Sequence, residues 1–350
     1  MNGTPGCFGS EGFRPEKSAR PSLTAATLAV IAAVCVPQVA RADEGGVSFW
    51  LPGLFGSLAA TPVQPGFSFA TFVYNTSVSA SRDVTFFKGG RFVAGLDADA
   101  TLFASIPSYA FATPVLGGQF ALSMLTFVAR NRVNIDATLT GPRGNTISGA
   151  FGDSTTGWGD LYPMATLKWN HGVHNFMVYG TGDLPIGDYD PNRLANIGIG
   201  HAAIDGGAGY TYLDPTKGHE FSAVGGFTYN FINGQTQYQN GVDFHLDWGA
   251  SQFLSKELLV GLVGYVYQEI GCDSGSGDRV GCFRSRVFGV GPQIGYIFPL
   301  GEWQGYLNLK GYGEFESQNR PDGWNVWLTF AVSPAAAPPP IDRTSMKIHK

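Results

Sequence analysis

Charge is what this chain has least of: only 14% of its 350 residues are Asp, Glu, Lys or Arg, about half the share that soluble domains carry. So few charges cannot cover a water-facing surface of this size, and 26 Phe, 14 Tyr and 7 Trp point to lipid as part of the solvent. The same apolar content excludes disorder, which needs low hydrophobicity. Long hydrophobic runs are missing too. Beyond residue 42 no window approaches the roughly 18 to 20 apolar residues of a spanning helix, so a helical membrane bundle is excluded. A net charge of −5 offers no basic stripe for phosphates, and no nucleic-acid partner is expected.

Ahead of residue 43 the chain reads as a secretory leader. Arg14, Lys17 and Arg20 precede an apolar run from Leu23 to Val36, and Ala40-Arg41-Ala42 closes it as a small-x-small cleavage site. Removing residues 1–42 leaves 18 basic against 25 acidic residues, about −7. Of four cysteines, Cys7 and Cys35 leave with the leader. Cys272 and Cys282 then flank a short Gly/Ser/Asp stretch, and an exported location favours a disulfide between them. No metal set accompanies them, since two further ligands are absent nearby.

What is present is alternation. From Val242 to Ser251 the even positions are Val242, Phe244, Leu246, Trp248 and Ala250, and the odd ones are Asp243, His245, Asp247, Gly249 and Ser251. Successive strand side chains point to opposite faces, so this segment has one apolar and one polar face. Segments of about ten residues like this, separated by Gly/Asn/Asp/Pro punctuation, are the signature of a transmembrane β-barrel. Strands are expected near 66–74, 91–105, 119–138, 159–169, 174–183, 198–212, 219–230, 241–253, 258–269, 285–298, 303–315 and 324–332. The fold class is therefore all-β, an antiparallel barrel of about twelve strands, with fourteen as the alternative because the connector 107–118 breaks the pattern. Tight turns such as Asn170-His171-Gly172 and Ser255-Lys256-Glu257 belong on the periplasmic side. Long loops are expected outside at 75–90, 139–158, 184–197, 231–240, 270–284 and 316–323.

Parity within each strand then selects lumen-lining candidates: Asp97, Asp99, Arg130, Arg132, Asp136, Asp183, His201, Asp205, Asp243, His245, Asp247, Tyr265, Tyr267, Lys310 and Glu314. Asp160, Lys168, Glu269, Tyr162, Tyr179, Tyr306 and Tyr312 fall on the same side. The physical reason is cost: Arg or Lys on the lipid face loses about 2 to 4 kcal/mol near the midplane. Most of these groups are expected to brace the barrel, and the tyrosines either line a route for aromatic molecules or fill the interior. Ahead of the first strand, Phe49 to Ala60 is too apolar for a free tail. It is expected to fold into the barrel as a plug, with a strand or an interfacial segment as the alternative. The expected organisation is a signal peptide at 1–42, a periplasmic or plug segment at 43–65, the barrel at 66–332 and a flexible Ala/Pro-rich tail at 333–350.

Phe49 to Gly66, the run Gly157-Trp158-Gly159-Asp160 with its following strand, and Tyr238 to Gln268 resemble the exported proteins named for the MetA-pathway of phenol degradation. That resemblance implies an outer-membrane barrel that transports small aromatic compounds, and it carries no catalytic or binding pattern onto individual residues. The chain is accordingly expected in the bacterial outer membrane as a channel or transporter for small hydrophobic or aromatic solutes, monomeric or weakly oligomeric. The alternative is a non-transporting structural or surface-binding protein. An enzyme is not expected: His245 and Asp247 share a face, but i and i+2 side chains stand about 6.5 to 7 Å apart, too far for a base and its orienting acid. Two imidazoles at a turn, His171 and His174, are too few for a metal. A conduit needs no cofactor.

Overall fold

A computed structural model describes residues 48–85, 91–278, 281–282 and 284–335. The expected signal peptide at 1–42 and most of the expected tail lie outside these residues. Among the described residues there are thirteen strands: β1 (Gly66–Thr85), β2 (Arg91–Ala110), β3 (Gln119–Thr140), β4 (Thr146–Trp158), β5 (Tyr162–His171), β6 (His174–Asp183), β7 (Ala203–Asp214), β8 (His219–Asn230), β9 (Asp243–Phe253), β10 (Leu258–Glu269), β11 (Arg286–Leu300), β12 (Trp303–Gln318) and β13 (Asp322–Pro334).

Every neighbouring pair is antiparallel, and β1 pairs with both β2 and β13, which closes the ring. β4 and β5 occupy one place in it. β3 pairs with β5 through Gln119–Leu125 and with β4 through Val128–Thr140. Residues 159–161 form the break between them, opposite Thr126 and Phe127. The barrel therefore has twelve positions around its circumference. Gly159 sits at the break because its backbone lies against the Phe127 ring, where any Cβ would overlap it.

The outward face carries the lipid-facing residues. Leu122, Val178, Leu262, Leu307 and Leu328 are exposed large hydrophobics on five different strands, which is the apolar band that a barrel presents to hydrocarbon. Short turns, such as 172–173, 215–218 and 301–302, close one end. The other end holds the long connections 184–202, 231–242 and 270–285. The last of these contains the Cys272–Cys282 disulfide.

Two expected loops are strands. β1 runs on to Thr85 through the expected loop 75–90, and β4 fills most of 139–158. β1, β2 and β3 have 20, 20 and 22 residues, where crossing a bilayer takes about 9 to 11. Their excess length rises beyond the membrane, and there the outward face turns polar: Asn75 and Ser77 on β1, Asp97, Asp99 and Thr101 on β2, Arg130 to Asp136 at even positions on β3, and Ser148, Ser154 and Thr156 on β4. Cross-strand pairs such as Asp99 with Arg132 and Thr101 with Arg130 lie in register on this face. Asp97, Asp99, Arg130, Arg132 and Asp136 are all exposed. The expectation that these five line the lumen is corrected: the rule that charge turns inward holds only where lipid lies outside.

Candidate functional site

The interior is divided between two unlike walls. From β6 to β13 the inward residues are mostly polar or aromatic, with Met177, Val224, Leu259, Val263 and Val287 buried among them. From β1 to β3, with β5, they are apolar. Residues 48–61 lie between the walls, inside the barrel, and their backbone groups face the problem common to any irregular chain at membrane depth: each N–H and C=O must find a partner.

The polar wall supplies those partners. Asp247 accepts hydrogen bonds from the Gly53 and Phe55 N–H groups at 2.8 and 3.1 Å. Lys310 donates to the carbonyl oxygens of the same two residues. Opposite charges on β9 and β12 thus hold both sides of one short stretch of backbone. Lower down, the Leu58 N–H donates to Glu220 at 2.9 Å and the Ala60 N–H to Thr211 at 3.0 Å. Gln293 donates to the hydroxyls of Ser57 and Ser251 at 2.6 and 2.8 Å. The fit depends on two glycines. Gly53 has φ +87° and lies 3.1 Å, measured from an added Cβ, from the Tyr312 ring, while a Cβ on Gly249 would come within 2.8 Å of the Ser57 N atom.

Trp50 anchors the upper part of the segment. Its ring stacks on His245 with centroids 3.6 Å apart, and Phe55 packs on Tyr179 at 5.6 Å. His245 Nε2 bonds Asp205 at 2.9 Å and the Tyr179 hydroxyl at 3.2 Å, while Thr228 donates to the same Asp205 oxygen at 2.6 Å. The acid beside His245 is therefore Asp205 from β7, and Asp247, its neighbour in sequence, is committed to the segment. The group makes a fully buried polar brace.

Farther around the wall Tyr265 donates to Glu314 at 2.7 Å and receives a bond from Asn325 at 2.9 Å. Lys310 lies 4.9 Å over the Trp327 ring. Tyr267 and Asp243 are buried, Asp243 accepting from Asn230 at 2.9 Å. His201 is buried in the connection 184–202, with Nε2 at 3.3 Å from Asn230. Asp183 is buried at the end of β6.

Against the other wall lies a cavity of about 650 Å³, within the 300 to 1,000 Å³ range of small-molecule sites. Phe72, Tyr74, Leu102, Leu125, Phe127 and Tyr162 form its barrel side. Phe49, Trp50, Leu54 and Phe55 of the inner segment form the opposite side, and Leu194, Ile197 and Ile199 of the connection 184–202 contribute from outside. That connection folds inward because barrel side chains bind it. Asp160 accepts from the Gly187 and Ile199 N–H groups at 2.7 and 2.9 Å, Asp153 from Leu194 and Ala195 at 3.0 Å each, and Asn131 donates to the Asn196 carbonyl at 3.1 Å. Within it, Arg193 pairs with Asp188 at 2.7 Å. That hydrogen bond holds the Asp188 carboxyl below the usual carboxylate range.

Sequence parity did not single out the apolar wall, because charges rather than hydrophobic residues were used to choose the inward face. A signal existed. On β3 the odd residues Phe127, Ala129, Val133 and Ile135 are apolar while the even ones from Arg130 to Asp136 are polar, a reversal of the lipid-facing pattern of Phe120, Leu122 and Val128.

The sequence pattern of the family described as "Putative MetA-pathway of phenol degradation" matches residues 82–330. No curated protein matches the sequence. Among solved structures, the COG4313 outer membrane channel from Pseudomonas putida F1 is similar with a TM-score of 0.52 at 14% identity, over 78% of this chain and 98% of that one. A FadL homologue from Pseudomonas aeruginosa gives a TM-score of 0.36 at 9% identity, over 84% and 96% of the two chains. The fold is that of outer-membrane barrels.

Proposed function

The chain belongs to the family of the MetA-pathway of phenol degradation, and from that premise we propose that it is an outer-membrane transporter for small hydrophobic or aromatic compounds. The observation that carries this reading is the cavity of about 650 Å³, walled mainly by aromatic and aliphatic side chains on the barrel, the inner segment and the inward connection, with Lys168, Arg193 and Arg320 also among its lining. A ring-sized solute entering it exchanges water for apolar surface, worth roughly 25 cal/mol per Å² buried. The inner segment works as the plug. Its backbone is bonded mainly to the polar wall, with Lys168 of β5 holding only its lower end, so it narrows any water path while leaving the apolar side open to a solute. The leader cleaved after Ala42 delivers the chain to the outer membrane in this reading, and the tyrosines and charges of the polar wall act as braces.

Passage is tested in intact cells, whose lipopolysaccharide leaflet slows hydrophobic solutes. Cells making the protein should take up radiolabelled toluene faster than cells without it, and Ala129→Trp, which projects an indole into the cavity, should return the rate to background. Equal initial rates with and without the protein would overturn the proposal.

A further inference from the structure

Inside the barrel two lysines reach the inner segment, and they differ in one respect. Lys310 donates to the carbonyls of Gly53 and Phe55, and Asp247 meets the same two residues from the other side. Lys168, on β5, donates to the carbonyls of Ala59 and Thr61 at 2.7 and 3.2 Å. Among the described residues it has no carboxylate within ion-pair distance. An ammonium has three donors, and two carbonyls occupy two of them. A cation in such a place is costly unless it is matched by an anion, and intramembrane ionisable residues mark pathways more often than chance.

Its position gives the charge a use. Lys168 lines the lower end of the apolar cavity, and it also lines a second recess of about 310 Å³ at the barrel end with short turns, formed by Pro62, Pro65, Phe111, Pro114 and Gln119. The segment whose carbonyls it holds lies beside both spaces. On the same strand, Tyr162 and Met164 face the cavity above it, and Ser108 and Ser123 add hydroxyls to the lining from β2 and β3. A solute with an apolar ring and one anionic end would set the ring among Phe127, Leu125 and Tyr162 and its anion toward the third donor of Lys168.

We infer that Lys168 is a binding residue for the carboxylate of small aromatic acids, at the point where the cavity meets the periplasmic recess. This rests on the transport reading above and narrows its substrate class from aromatic compounds in general to those with a negative end. A carboxylate at Lys168 forms charge-assisted hydrogen bonds, about twice as strong as neutral ones.

The test is isothermal titration of benzoate and of benzyl alcohol, which share the ring and differ in charge, into the mature chain in lipid nanodiscs at pH 7.5. Wild type, Lys168→Met and Lys168→Arg are compared, each checked for folding by circular dichroism. The inference expects benzoate to bind about tenfold tighter than benzyl alcohol, a factor corresponding to 1.4 kcal/mol. The preference should vanish in Lys168→Met and persist in Lys168→Arg, with benzyl alcohol binding little changed in all three. Equal affinities in the wild type, or a preference that survives Lys168→Met, would overturn the inference and leave the apolar cavity standing. Binding of neither compound would overturn the cavity reading as well. Should Lys168→Met not fold, Lys168→Gln, whose amide can still donate to the segment carbonyls without the charge, should likewise lose the benzoate preference; a preference that survives it would contradict the claim.

Discussion

The two walls of the barrel interior solve opposite problems. The β6–β13 wall spends its polar side chains on a foreign piece of backbone: Asp247, Lys310, Glu220 and Thr211 each bond residues of the inner segment. The β1–β3 and β5 wall bonds almost none of it above Lys168, and the space it leaves is apolar. On the proposed transport reading, occluding the barrel and accommodating a solute are separate tasks, divided by circumference. A segment held mainly by hydrogen bonds to one wall needs few contacts with the other, here Lys168 at its lower end and Tyr162 beside Phe49, so in that reading the lumen can be blocked to water-borne ions and still keep a cavity.

Deleting residues 48–62 attacks the comparison most strongly. It removes the occupant of the polar wall and should raise single-channel conductance in a planar bilayer severalfold, because a twelve-stranded barrel is wider than the small barrels that side chains alone can fill. An unchanged current would mean that the segment does not set the path. Gly289→Ala damages the polar wall without touching the segment: its Cβ would overlap the Tyr265 ring, displacing a tyrosine bonded to Glu314 and Asn325. The expected cost is about 1 to 3 kcal/mol in urea unfolding, and unaltered stability would show that the ring has room to move.

The inward connection responds to pH through Asp188. Its folded-state pKa is depressed by Arg193, so the stabilisation is fully present above the ordinary carboxylate value of about 3.9 and is lost as pH falls through the depressed one. The extra proteolysis of 184–202 that Asp188→Asn causes should therefore be constant between pH 5 and 8 and shrink only below about pH 4. High salt should weaken the exposed pair at any pH. A wild-type-to-variant difference already gone at pH 6 would show that the Asp188–Arg193 pair does not hold the connection. The smallest effect belongs to Arg130→Ala with Arg132→Ala. Both residues face outward above the bilayer, so conductance and ion selectivity should stay at wild-type values, whereas a changed selectivity would return them to the lumen.

Much of this barrel was readable from alternation. Val242 to Ser251 pointed to the buried face of β9, and Asp243, His245 and Asp247 are indeed enclosed, because lipid outside and protein inside leave only one place for charge. The rule failed on β1 to β4 for the same physical reason. Where strands outrun the bilayer, water lies outside, and Asp97, Asp99, Arg130, Arg132 and Asp136 follow it. The partnership of His245 with Asp205 was not legible either, since it joins residues 40 apart in sequence across strands whose register no single chain reveals. β4 was hidden by its composition: Gly, Ser and Thr serve a two-sided exposed strand as readily as a loop.

The central claim is that the apolar wall forms a binding cavity independent of the polar one. A fluorine NMR titration of 4-fluorotoluene with the mature chain in nanodiscs, repeated with Ala129→Trp, tests it most directly. The account predicts one saturable, exchange-shifted resonance in the wild type that disappears in the variant and remains when the inner segment's clasp is weakened by Asp247→Asn. The same resonance in wild type and Ala129→Trp, or none in either beyond that of empty nanodiscs, would contradict it.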